Sequence, residues 1–175
     1  CLLSRGLGDV YKRQVHNNNE ALVIDPSESG PLIKSLEKIN LKLKYILNTH
    51  HHFDHVDGNL TLKEKYKCKI IGFIDDKKRI PGIDICLKNE EIFKEGDFQF
   101  KTYHTPGHTS GHICYHFFND KILFTGDTLF SLSCGRLFEG TYEDMFKSLS
   151  LIKTFDKETL ISVSYTHLTL PTILL

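Results

Sequence analysis

The chain of 175 residues has no CxxC pair, and its five cysteines (Cys1, Cys68, Cys86, Cys114 and Cys134) are scattered without framework spacing. That excludes a disulfide scaffold and fits reduced packing thiols in a cytosol. Its 22 basic and 22 acidic residues never gather into a long block of one sign. The chain therefore carries no electrostatic footprint for nucleic acid or an anionic membrane. No apolar run approaches the roughly 18 to 20 residues that cross a bilayer, and the N-terminus lacks the basic, apolar, small-residue order of a signal peptide. No internal repeat or low-complexity linker interrupts the chain. What is present is an apolar fraction of 40%, ample for a core. The expectation is one folded domain, cytoplasmic and monomeric, with a small-molecule partner.

Short apolar runs alternate with helical periods. ALVIDP from Ala21 reads as a strand stopped by proline. PLIKSLEKIN follows, with Leu32, Ile33, Leu36 and Ile39 at helical spacing behind a proline placed at the first helical position. KYILNT is another strand, emptying into the polar THHHFDHVDGN before a helix-like NLTLKEKYK and a strand CKIIGF. The histidine cluster thus lies on a strand-to-helix loop, where ligands bind in α/β architectures. DFQFKTYHT, GHICYHFF and KILFTGD read as strands around the turn-forming TPGHTSG. TYEDMFKSLSLIKTF has helical period, and ETLISV is a last strand. Residues 1–14 and 164–175 show neither period and resemble stray translated ends, which leaves residues 15–163 as the native-looking domain.

His50, His52, Asp54 and His55 sit within six residues. On an extended or tightly turned loop, alternate side chains share a direction, so His50 and His52 can serve one metal while Asp54 and His55 reach a neighbouring one. A lone histidine is more often solvated or hydrogen-bonded, but three with an aspartate reverse those odds. A purification tag would be terminal and longer. His108, in TPGHTSGH, is presented by a tight Pro-Gly loop and is suited to complete the first metal's set. Asp127, at a strand end in FTGDT, is placed to bridge two cations. His16, His104, His112 and His116 lie on or beside strands and read as packing or surface residues, with His112 also suited to orient a ligand.

THHHFDH resembles the THxHxDH signature of the metallo-β-lactamase superfamily, and TPGHTSGHICY and FTGDTLF resemble its later ligand motifs, in the same order. Within that superfamily, GDTLFSLSCGRLFEGT is similar to the hydroxyacylglutathione hydrolases, or glyoxalase II. The resemblance implies an α/β four-layered αββα sandwich, incomplete at both ends. It implies His50, His52 and His108 on one divalent metal, Asp54 and His55 on a second, and Asp127 between them. Zinc is the default metal, with iron and manganese suited to the same donors. It also implies hydrolysis of a glutathione thioester, S-D-lactoylglutathione, by water activated as hydroxide on the metals and oriented by Asp54. Arg136 falls on the family's basic position that contacts the glutathione carboxylate.

Four departures accompany the resemblance. Beyond LISV the chain reads SYTHLTL in place of the family's Gly/Ala-His-Glu-Tyr, so His167 does not match the remaining ligand of the second metal. Phe138 replaces a frequent tyrosine, and neither the helical C-terminal domain nor the usual opening strand is recognisable. Cys134 has no histidine at a spacing that suggests a catalytic partner. The alternatives are a persulfide dioxygenase of the same fold, which uses one iron and lacks the triple histidine, and a non-catalytic metal-binding fragment.

Overall fold

The computed structural model describes residues 13–17, as backbone, and 19–163. The terminal stretches read as foreign, His167 among them, otherwise lie outside the described residues. The chain divides after Leu87 into two compact units.

The first unit is a five-stranded sheet in the order β1-β2-β3-β4-β5. Its strands are β1 (Arg13–Asn17), β2 (Glu20–Ile24), β3 (Lys42–Leu47), β4 (Lys69–Phe73) and β5 (Ile85–Leu87). β1 pairs antiparallel with β2, and every later pairing is parallel. The sequence showed no strand ahead of Ala21; the backbone forms one, and its run begins within the stretch read as foreign. The β2–β3 and β3–β4 pairings are made possible by the helices α1 (Ser29–Lys38) and α3 (Asn59–Tyr66), which occupy their crossovers, and the β4–β5 crossover carries a 3-10 turn, Ile74–Asp76. Leu32 and Leu36 of α1 and Leu62 of α3 pack with Ala21, Val23, Leu43, Ile46 and Ile70 of the sheet. Each such burial contributes about 1.5–3 kcal/mol. Leu43 and Ile46 are three apart yet join the same cluster, because the register of β2 against β3 shifts between Ala21 and Leu22. Pro31 stands third in α1 rather than first, still within the turn whose amide hydrogens have no intrahelical acceptor. Cys68 packs in this core, and burial pushes its thiol up to about 11, as expected of an inert packing cysteine.

The second unit is also five-stranded, in the order β10-β9-β8-β7-β6. β6 (Ile92–Glu95), β7 (Phe98–His104), β8 (Ile113–Phe117) and β9 (Ile122–Gly126) form an antiparallel meander. β10 (Leu160–Val163) returns parallel to β9 after the helix α4 (Tyr142–Ile152). α4 starts where it does because Thr141 and Asp144 form a capping box, each side chain taking the other's backbone amide. Its Ile152 packs against Cys114 and Leu123 of β8 and β9. Among the described residues no helix is long and apolar enough to cross a membrane.

Candidate metal centre

In the first unit, β3 ends at Leu47 and the chain turns through Asn48–His52 into a single helical turn, α2 (Phe53–Val56). The histidine cluster is therefore not wholly an extended loop. His50 and His52 lie on the approach, with His52 as the N-cap, whereas Asp54 and His55 lie on α2 itself. The turn is pinned by side-chain amides: Asn48 Nδ2 donates to the His55 carbonyl at 2.9 Å, and Asn59 Nδ2 donates to Asn48 Oδ1 at 2.8 Å. The Gly58 amide donates to the Pro26 carbonyl at 2.9 Å, and a Cβ at Gly58 would stand 2.6 Å from that oxygen, so only glycine fits there.

Asp25 organises the histidines. It follows β2 with φ +51°, a conformation that aspartate tolerates better than most residues, and it is buried. Its Oδ1 accepts from the Thr49 amide and its Oδ2 from the Thr49 hydroxyl, both at 2.7 Å. With that proton committed, the Thr49 oxygen accepts from His50 Nδ1 at 3.0 Å. Asp25 Oδ2 also lies 3.0 Å from His55 Nδ1. In the His50 ring Nδ1 carries the hydrogen, and in the neutral ring Nε2 then carries the lone pair. This is the arrangement in which a carboxylate or its relay orients a metal-binding imidazole. His55 Nε2 stands 3.6 Å from Asp54 Oδ2. The rings of His50 and His52 are 4.6 Å apart, and those of His50 and His55 4.2 Å.

The second unit contributes His108 and Asp127. His108 sits in the turn between β7 and β8, and its Nδ1 donates to the Arg136 carbonyl at 2.7 Å. A carbonyl can only accept, so the neutral ring again has its lone pair on Nε2, 3.5 Å from Asp127 Oδ2. Two electron-rich atoms that converge in this way make a place that a divalent cation would satisfy. Both His108 and Asp127 are buried. The fully buried His112 sets Asp127: its Nε2 accepts from the Asp127 amide at 3.1 Å, and its Nδ1 lies 3.0 Å from the hydroxyls of Thr105 and Thr128. Gly135 threads between the pair, since a Cβ there would lie 2.1 Å from the Asp127 carbonyl and 2.9 Å from His108 Nδ1.

Arg136 is exposed, with its guanidinium 5.4 Å from the centre of the Phe138 ring. It lines a cavity of about 500 Å³ with Cys134, Tyr142 and Phe146. The other histidines hold structure. His104 Nε2 donates to the Ser110 carbonyl at 2.8 Å, and His116 packs on Phe155. The side chain of His16 lies outside the described residues. Asp25, Thr49, Thr105 and Thr128 were not singled out in the sequence. Asp25 read only as part of the run ALVIDP that Pro26 stops, and nothing in its neighbours marks it as a hub.

The donors are imidazole and carboxylate, the set that binds divalent metals. The chain belongs to the metallo-beta-lactamase superfamily, whose pattern matches residues 14–164. A hydroxyacylglutathione hydrolase of Pelagibacter ubique (strain HTCC1062) is 58% identical over 141 residues, which cover 81% of this chain and 59% of that protein. One of Methylococcus capsulatus (strain ATCC 33009 / NCIMB 11132 / Bath) is 44% identical over 150 residues, covering 86% of this chain and 59% of that protein. The chain thus spans 59% of the length of each of these curated relatives. The crystal structure of the BLEG-1 B3 metallo-beta-lactamase superposes with a TM-score of 0.82 at 26% identity, covering 91% of this chain and 89% of that one. The α/β metallo-β-lactamase fold expected from the motifs is the fold found.

Proposed function

We propose that this chain is the metal-binding part of a hydroxyacylglutathione hydrolase that cleaves S-D-lactoylglutathione to D-lactate and glutathione. The observation that carries the reading is the orientation of the histidines: His50 and His108 each commit Nδ1 to a protein oxygen and keep Nε2 for a ligand. The 58% identity to a relative named hydroxyacylglutathione hydrolase supports a hydroxyacylglutathione thioester as the substrate. His50, His52 and His108 would hold one divalent metal, Asp54 and His55 a second, and Asp127 both, with zinc the default. When bound, such a pair brings water to a pKa of about 7 and polarises a carbonyl. Asp54, exposed on α2, accepts a hydrogen bond from the attacking water and aligns it on the thioester carbon. The C–S bond breaks as the new C–O bond completes, and glutathione leaves as a thiolate that needs little protonation. Arg136 pairs with a carboxylate of the glutathione moiety, and the adjoining cavity accommodates the rest.

The balanced charge supports a small-molecule substrate over nucleic acid or membrane, and the same reading makes the protein cytoplasmic and monomeric. The test is metal per chain after dialysis, together with thiol release from S-D-lactoylglutathione. Metal uptake with thiol release is expected. Metal uptake without it would leave a binding module, and sulfite production from a persulfide with one iron would place the chain with the dioxygenases.

A further inference from the structure

Of three consecutive histidines, the proposed function uses His50 and His52 and leaves the middle one unexplained. His51 Nδ1 lies 3.2 Å from Asp76 Oδ2, and the Asp76 side chain is fully buried at 0% exposure. Asp76 belongs to a 3-10 turn, Ile74–Asp76, that follows β4. Its other oxygen, Oδ1, accepts from Arg79 Nε at 2.9 Å and from a second guanidinium nitrogen. The turn is itself fixed, because the amides of Arg79 and Ile80 donate to the Asp76 carbonyl and Ile80 is buried in the sheet's core. A carboxylate buried this deeply is costly unless paired, and here its two oxygens are divided between a permanent cation and one histidine.

We propose that Asp76 is a positioning residue for the metal centre, acting through His51. The Asp76–His51 bond anchors the middle ring to the turn after β4. His51 stands between His50 and His52 in the chain, so an anchor on its ring holds the short stretch of backbone that carries both. The three rings are neighbours: His51 lies 5.0 Å from His52 and 6.4 Å from His50, and His50 and His52 are 4.6 Å apart. Arg79 does not touch His51; it balances the carboxylate's charge and fixes which oxygen is presented. The proposal rests on the reading of His50 and His52 as ligands.

The test is a titration of the metal-free full chain with cobalt(II), followed by visible absorption, which reports the number and kind of ligands as well as affinity. Asp76→Ala and His51→Ala should each weaken the first equivalent by about 10- to 100-fold, the loss typical of a missing outer partner. The double variant should be no weaker than either single one, since both remove the same bond. Asp76→Asn, which keeps the shape of the side chain but only one acceptor oxygen for Arg79 and His51 together, should bind between the alanine variant and the parent chain and serves where the alanine variant does not fold. Additive losses, or an unchanged titration in both single variants, would overturn the proposal and leave Asp76 as a support of the turn alone. His52→Ala is the control: if it binds cobalt like the parent chain, the ligand reading itself has failed, whatever Asp76 does.

Discussion

The two units present their ligand candidates by opposite means. The first packs His50, His52, Asp54 and His55 into six residues and orients them with buried side chains, above all Asp25 and Thr49. The second brings His108 and Asp127 together from opposite ends of β8 and β9, and holds them largely with backbone: the Arg136 carbonyl on His108, and the Asp127 amide on His112. A local cluster has neighbours at no loop-closure cost but needs polar relays to aim them. A pair joined by an antiparallel ladder inherits its position from the strand register and needs only close backbone fit. The first arrangement should therefore fail when a side chain is removed, and the second when backbone space is filled.

The sharpest way to break the comparison is within the first unit. His52→Ala should abolish metal uptake at its site by elemental analysis, because a three-histidine site does not accept water in place of a ring. Asp25→Ala should come next, lowering metal affinity about 10- to 100-fold by freeing the Thr49 relay to His50 and removing the carboxylate beside His55. Competition with a chelator measures this, and an unchanged affinity would show that the relay is decorative. In the second unit, Gly135→Ala should destabilise the fold by about 1–3 kcal/mol or more through overpacking, read as a shift in the urea midpoint. If the variant unfolds like the parent, the backbone there is softer than the contacts imply.

Smaller effects sharpen the picture away from the ligands. Arg136→Ala should raise KM for S-D-lactoylglutathione more than it lowers kcat in the full-length enzyme, the signature of lost uniform binding. A collapse of kcat alone would move Arg136 into the reaction itself. The smallest effect concerns His116, whose pKa is held below its ordinary value by burial and by nearby Lys101. The unfolded chain then takes up the proton first as pH falls below about 6.5, so this residue costs stability progressively on the acid side and nothing above it. His116→Gln should flatten the fall in Tm below that pH and leave the neutral Tm nearly unchanged.

Much of this was legible along the chain. β2, β3, β4, β7, β8, β9 and β10 and the helices α1, α3 and α4 coincide with apolar runs and helical periods, because their burial repeats at the period of the element. β5 and β6 were missed: the first is only three residues long, and the second, IFKE, exposes most of its side chains, so neither leaves a burial pattern to read. The single turn α2 escaped for a related reason. Four residues are too few to show a period, and what makes them helical is the pinning of the segment by Asn48 and Asn59.

The candidate ligands were likewise visible, since His50, His52, Asp54, His55, His108 and Asp127 are chemically distinctive residues in distinctive spacings. By itself the sequence determined the candidate donors, the order of their motifs and the family. Only the tertiary structure decided how each donor is aimed. Which nitrogen of His50 or His108 carries the hydrogen depends on oxygens 25 to 28 residues away, one of them reached through a neighbour: Asp25 behind Thr49 for His50, and the Arg136 carbonyl for His108. Those partners are an ordinary aspartate at a strand end and a backbone atom that every residue possesses. A residue's type announces what it can bind, but the direction in which it binds is set by groups that become its neighbours only when the chain has folded.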